Sequence, residues 1–174
     1  MTESNDSAKR FRTADESIVG EAGAFLAAFR SMQMATVSAD GVPDASYAPF
    51  VRIDDDAFYV NLSALSTHTG NILSTRRVSI LFLQAENDSK QLFARKRLSF
   101  DADVALVERD SARWRQVMDL FAEKFGDVMD LIRPLQDFSL FCLQPRSAVY
   151  VRGFAQAYPL EKSQLAHIRH INDL

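Results

Sequence analysis

A chain of 174 residues has the length of one ordinary domain, enough to bury a core, and 13 Phe make that core aromatic. A net charge of −3 at pH 7 gives no global basic field to draw the whole molecule onto nucleic acid or anionic lipid, so an anionic ligand must be caught by a local cation cluster. A single cysteine, Cys142, excludes an internal disulfide and a thiolate-rich zinc site. With a polar N-terminus and no run near the roughly 20 apolar residues of a membrane helix, the expectation is a cytoplasmic protein that binds neither nucleic acid nor membrane.

Residues 1–13 hold almost nothing to bury and are expected to be a disordered tail. From Asp15 to Arg30, the apolar residues Ile18, Ala22, Phe25, Leu26 and Phe29 recur at helical steps and predict an amphipathic helix. The period then switches. Met32 to Ala39 alternates, Asp40-Gly41 is a hairpin signal, and Ser46 to Ile53 reads as the return strand, with Pro49 marking an edge or bulge. Asp54 to Asp56 makes a charged turn into a third meandering strand, Ala57 to Leu62. A short helix from Ser66 to Leu73, with Ser66 as N-cap, leads to a strand over Arg77 to Gln84.

Leu92 to Val107 is expected as one long, bent strand. A second amphipathic helix, Ser111 to Phe125, presents Trp114, Val117, Met118, Phe121 and Phe125, with Asp110 in front and Gly126 behind as caps. Val128 to Ile132 is helical and stops before Pro134. Two strands close the chain, Phe138 to Leu143 and Ala148 to Tyr158, turning at Gln144-Pro145-Arg146. Six or seven strands with flanking helices predict an α+β antiparallel barrel over residues 14–160, and residues 161–174 begin a C-terminal tail or helix.

Candidate chemistry is sparse. His167 and His170 stand three apart on the expected terminal helix and could share a face, but they lack a third ligand nearby. His68 falls in the first turn of a helix, where free N–H groups and the dipole favour an anion, with Thr67 and Thr69 as further donors. Lys90 to Leu98 (KQLFARKRL) concentrates four cations; in a strand, Arg95 and Arg97 would share one face as a carboxylate or phosphate clamp, with Lys96 on the other and Phe93 and Phe100 lining an apolar slot. The alternative is a charged edge strand guarded against aggregation. Asp137 reads by itself as a solvated turn residue, and Cys142 as a small core residue.

Several blocks resemble the HugZ/HutZ-type haem-utilisation proteins. They are Ala35-Thr-Val37 with Asp40-Gly41, Ser46 to Val51 (SYAPFV), His68 with Asn71, Lys90 to Leu98, Val107 to Asp110 (VERD), Gln136-Asp-Phe138, and Val151 to Phe154 (VRGF). The opening Ala-Thr-Val is shared by the whole pyridoxamine-phosphate-oxidase-like superfamily. The resemblance implies an FMN-binding-type split barrel that forms a homodimer, with haem rather than FMN at the subunit interface and, in several members, oxidative haem degradation. It places Asp137 at the acidic residue that assists the haem-ligating histidine of the other subunit, and Arg97 and His68 near the haem pocket.

The family's ligand histidine lies in a Gly-His tail that would begin just past Leu174. Either the chain is cut short, or His167 or His170 serves the iron, or haem is held differently. The ligand residues singled out are therefore His68, Asn71, Arg95, Lys96 and Arg97, with Asp137 in the catalytic role. Two alternatives stay open. In one, an FMN-dependent oxidoreductase holds the flavin phosphate through His68, Thr69, Arg76 or Arg77, and Arg97; the other is a non-catalytic haem store or carrier.

Overall fold

The structure, a computed structural model, describes residues 13–53 and 57–165. The first helix, α1 (Glu16–Ala27), starts where Asp15 accepts a hydrogen bond from the Ile18 amide at 3.0 Å, and buries Ile18, Val19, Ala22 and Leu26. It ends before Arg30, because the chain must enter β1 (Ser31–Val37), which pairs with β2 (Pro43–Pro49) from Ser31↔Pro49 to Val37↔Pro43. Gly41, at φ +83°, closes that hairpin, donating its amide to the Ser38 carbonyl at 3.0 Å.

The expected return strand over residues 46–53 is two strands. Pro49 ends β2, Phe50 is a one-residue link, and β3 (Val51–Arg52) pairs with β4 (Phe58–Ser63). The three strands are therefore no meander. The hydrogen-bonded path runs β2–β1–β5–β6–β7–β4–β3, through β5 (Arg77–Leu83), β6 (Arg97–Leu106) and β7 (Phe138–Gly153), with β8 (Gln156–Leu160) added to β7. Because β2 and β3 stand at opposite ends of the path yet are joined by one residue, the sheet must curl until its ends meet. That is the antiparallel split barrel expected, with eight strands among the described residues. Both Pro43 and Pro49 lie in the edge strand β2, where a missing N–H costs no ladder bond.

Two other strand expectations are corrected. Residues 92–94 form a 3₁₀ turn, so β6 begins only at Arg97. Pro145 makes no turn: β7 runs through it for 16 residues, and the chain accommodates it with a bulge opposite Asp101 and Ala102. The real reversal comes at Phe154-Ala155, where Ala155 takes φ +54°. The expected turn at Asp54 to Asp56 lies outside the described residues.

Inside the barrel, the buried rings of Phe50, Phe58, Phe82 and Phe100 pack edge to face, with Phe58 and Phe100 5.1 Å apart. A second core lies where α3 (Ala112–Phe125) and α4 (Val128–Ile132) cover Tyr59 and Leu140 with Trp114, Val117, Met118 and Phe121. Cys142 packs partly buried against it. The N-cap of α3 is Ser111, bonded to the Trp114 amide at 3.1 Å; Asp110, expected in that role, instead takes φ +60° in the preceding turn. Gly126, at φ +72°, stops the helix as expected. The short helices α2 (Thr67–Thr75) and α5 (Lys162–Leu165) complete the set, α5 tied to the N-terminal segment by a Gln164–Ala14 hydrogen bond of 2.9 Å. No described helix is long and apolar enough to cross a membrane.

Candidate functional site

The inner face of β1 and β5 is filled by Met32, Met34, Val78, Ile80 and Phe82; apart from Arg77, their outward neighbours are small or neutral. Ser31, Gln33 and Ala35 on β1, Ser79 and Leu81 on β5 and Ser99 on β6 leave a groove of about 830 Å³, within the usual range for a small-molecule site. Tyr47 of β2, 71% exposed, stands along its wall. The Ser46 hydroxyl in the same wall is buried without a hydrogen-bond partner among the described residues. A smaller hollow of about 310 Å³ continues past Ala35 and Ser79 to Arg77 and Asp101. Of the lining residues, Ala35, Ser46 and Tyr47 fall in the resembling blocks and Arg77 among the flavin-phosphate candidates, while Ser31, Gln33, Ser79, Leu81 and Ser99 give no signal because they look like ordinary solvated alternation.

Arg97 opens β6 at one end of this groove, opposite Leu83 in the β5 ladder and two residues before Ser99, both of which line it. It is exposed, and its guanidinium has no hydrogen bond or ion pair among the described residues. Its two neighbours are already committed. Arg95, turned by the 3₁₀ segment, donates through Nε to the Gln84 carbonyl at 2.8 Å and through Nη1 to Glu86 at 3.3 Å, and its Nη2 also reaches the Gln84 carbonyl. Lys96 Nζ lies 3.2 Å from Glu21. Arg95 and Arg97 therefore form no two-guanidinium clamp, because Arg95 is not in the strand. Nor do Phe93 and Phe100 share a slot: Phe93 is 87% exposed and Phe100 is 3% exposed, in the core.

The other singled-out residues gather around the start of α2. His68 sits in its first turn, half-buried; burial pushes its pKa below the usual 6.5, against the opposing charge of Asp44. Thr69, expected as an anion donor, is buried with its hydroxyl given to the Ser63 carbonyl at 2.7 Å. Ser66 occupies the N-cap position without a side-chain cap bond. Asn71, 7% exposed, donates to Thr36 Oγ1 at 3.0 Å, and that hydroxyl in turn donates to Asp44 at 3.3 Å. Its amide latches α2 to the β1–β2 hairpin.

Asp137 lies exposed in the turn before β7. Its Oδ2 accepts from Ser63 Oγ at 3.1 Å, and its main-chain carbonyl accepts from the Ala64 amide at 2.7 Å. The Ser63–Ala64 segment thus joins Asp137 to the helix of His68. Arg97 is not part of this group. Along the β6–β7 ladder it pairs with Val151, whereas Leu106, nine residue steps further, pairs with Phe141 near Asp137; at about 3.3 Å per step the separation is roughly 30 Å of strand. His167 and His170 lie outside the described residues, among which no group of three or more His, Cys, Asp or Glu is placed to hold a metal ion.

Residues 18–152 match the family described as Pyridoxamine 5'-phosphate oxidase. Over 144 residues the chain is 43% identical to Heme oxygenase HutZ of Vibrio cholerae serotype O1, covering 83% of this chain and 81% of that protein. A crystal structure of HutZ, described as the heme storage protein from Vibrio cholerae, superposes with a TM-score of 0.69 at 44% identity, over 72% of this chain and 88% of its own. The crystal structure of Campylobacter jejuni ChuZ gives a TM-score of 0.79 at 32% identity over 91% of this chain, which spans 64% of ChuZ.

Proposed function

The chain belongs to the pyridoxamine 5'-phosphate oxidase family, and from its 43% identity to Heme oxygenase HutZ we propose that it binds haem between two copies of itself and degrades it oxidatively for iron acquisition in the cytoplasm. The observation that carries this reading is Arg97, an exposed guanidinium without a described partner at the end of a groove rimmed by Leu81 and Leu83. A flat, mainly apolar ligand with carboxylates at one edge suits that arrangement: the ring lies on the small outward side chains, and the guanidinium takes a propionate through paired hydrogen bonds. When bound, haem supplies the redox chemistry with O₂.

The chain's own residues would hold and orient it. A histidine C-terminal to the described residues, His167 or His170 in this sequence, would serve the iron. Asp137 of the partner subunit would accept that imidazole's N–H and strengthen it as a donor. A site shared between two chains is supported by the roughly 30 Å of strand that lies between Arg97 and the Asp137 end of the β6–β7 ladder within one chain.

The test is a haem titration of the full-length protein, with sedimentation in parallel. A one-to-one Soret shift on a dimer is expected, and Arg97→Ala should weaken binding about tenfold. No shift, or a monomer at micromolar concentration, refutes the reading. The relatives' names divide between an oxygenase and a storage protein. Haem loss with product formation under a reductant supports degradation; binding without turnover supports storage.

An FMN-dependent oxidoreductase is the second reading, favoured by the family match. Its phosphate residues are poorly placed for it. Thr69 is buried and bonded, Arg77 pairs with Asp103 at 3.6 Å, and Arg77 and Arg97 face opposite ends of the β5–β6 ladder, roughly 20 Å apart at about 3.3 Å per residue. Purified protein that is yellow, with flavin bands and no Soret response, would favour this reading.

A further inference from the structure

We propose that Arg109 and Ser63 are positioning residues that fix the Asp137 carboxylate with one oxygen engaged and the other presented as an acceptor. The inference rests on the reading above that Asp137 receives an imidazole N–H. Between α4 and β7 the chain turns through Pro134 without a ladder, leaving carbonyls that need donors. Arg109 supplies them. Its Nη1 donates to the carbonyls of Leu135 at 3.2 Å and Phe138 at 3.3 Å, and its Nη2 to that of Arg133 at 2.9 Å, so the bonds bracket Asp137 on both sides.

The guanidinium is itself seated 5.2 Å from the ring centroid of Trp114, a buried residue of α3. A lysine, with a compact ammonium in place of a planar fork, cannot span three carbonyls in this way. From the opposite side, the Ala64 amide holds the Asp137 carbonyl at 2.7 Å.

Ser63 then sets the carboxylate. Its oxygen accepts from the Leu65 amide at 3.2 Å, which leaves its single proton for Asp137 Oδ2 at 3.1 Å. Asp137 Oδ1 has no partner among the described residues and remains the acceptor. A bland account, in which Arg109 and Ser63 only stabilise a loop, predicts no effect on a bound ligand once the protein is folded.

The distinguishing readout is the iron–histidine stretching frequency of the haem-loaded, ferrous full chain by resonance Raman, with haem loss to apomyoglobin as a second measure. Asp137→Asn is expected to lower the frequency and speed haem loss about 10- to 100-fold. Ser63→Ala and Arg109→Lys should move the frequency in the same direction and speed loss about three- to tenfold, while Ser63→Thr, which keeps the hydroxyl, restores both. If Asp137→Asn shifts the frequency and neither Ser63→Ala nor folded Arg109→Lys does, the positioning inference is overturned while the role of Asp137 stands. If Asp137→Asn itself shifts nothing, the role of Asp137 fails and takes the inference with it. Should Arg109→Lys not fold, the exposed Ser63–Asp137 pair carries the decision alone.

Discussion

Glu21 is the place where helix α1, strand β7 and the approach to β6 depend on one carboxylate. From α1, its Oε1 accepts from the Tyr150 hydroxyl at 3.1 Å and faces Lys96 Nζ at 3.2 Å, while Oε2 lies 3.0 Å from Arg152 Nε. Tyr150 has no exposed surface, so Glu21→Ala strands a buried hydroxyl at about 1–3 kcal/mol. The two ion pairs involve cations that are about half exposed and add about 0–1 kcal/mol each. The expected loss is about 2–3 kcal/mol, a fall in Tm of roughly 4–12 °C for a chain of this size. Glu21→Gln keeps an acceptor for Tyr150 and should cost about 1 kcal/mol.

The double variant Glu21→Ala/Tyr150→Phe separates the two contributions, since with no hydroxyl to strand it should be more stable than Glu21→Ala alone. Alkali gives an independent check. Burial, then the charge of Glu21, raises the Tyr150 pKa above its ordinary 10.0. The unfolded chain therefore loses this proton first, and stability present below pH 10 falls as pH rises beyond it; Tyr150→Phe should lack that fall. Urea and thermal unfolding followed by circular dichroism measure all of these. A Glu21→Ala loss below about 0.5 kcal/mol, or a double variant no more stable than the single, would refute the reasoning.

Three further outcomes are expected. His68, its pKa held below 6.5 chiefly by burial, is protonated more readily in the unfolded chain, so stability falls as pH drops from 6.5 towards the native value, and melting curves of His68→Gln should show a shallower decline. Asn71→Ala removes the buried bond to Thr36 and should cost about 1–3 kcal/mol in urea unfolding, with amide exchange in α2 accelerated ahead of the rest. In an equilibrated mixture of Arg97→Ala and Asp137→Asn chains, a site built from two subunits regains about a quarter of the wild-type haem sites, whereas a site built within one chain regains none.

The helices were the legible part of the sequence. Asp15, the 3.6-residue apolar stripes and Gly126 are local instructions, and α1, α3 and α4 formed close to where those residues place them. The Asp40-Gly41 hairpin was legible for the same reason. Long-range pairing was not. Pro145 carries a strong turn preference, but the ladders to β6 and β8 on either side of β7 outweigh it, and a bulge absorbs the misfit. Pro49 announced an edge correctly, yet no local feature says that a single residue, Phe50, joins the two ends of the sheet path.

The basic nonapeptide shows how composition can single out a segment without distinguishing its members. Charge alone ranks Arg95, Lys96 and Arg97 equally, and their differences arise from partners distant in sequence: Gln84 and Glu86 for Arg95, Glu21 for Lys96. A cation already bonded to a carbonyl or carboxylate must give up those bonds to take a propionate, so the exchange yields little net free energy. Arg97 has no such bond to give up among the described residues. On the reading proposed above, a propionate bonded to it would contribute on the order of 1.5–3 kcal/mol, beside the groove proposed for the ring. The 3₁₀ turn at residues 92–94 delays the start of β6 to Arg97 and turns Arg95 out of the strand, a difference among the three cations that their charge does not encode.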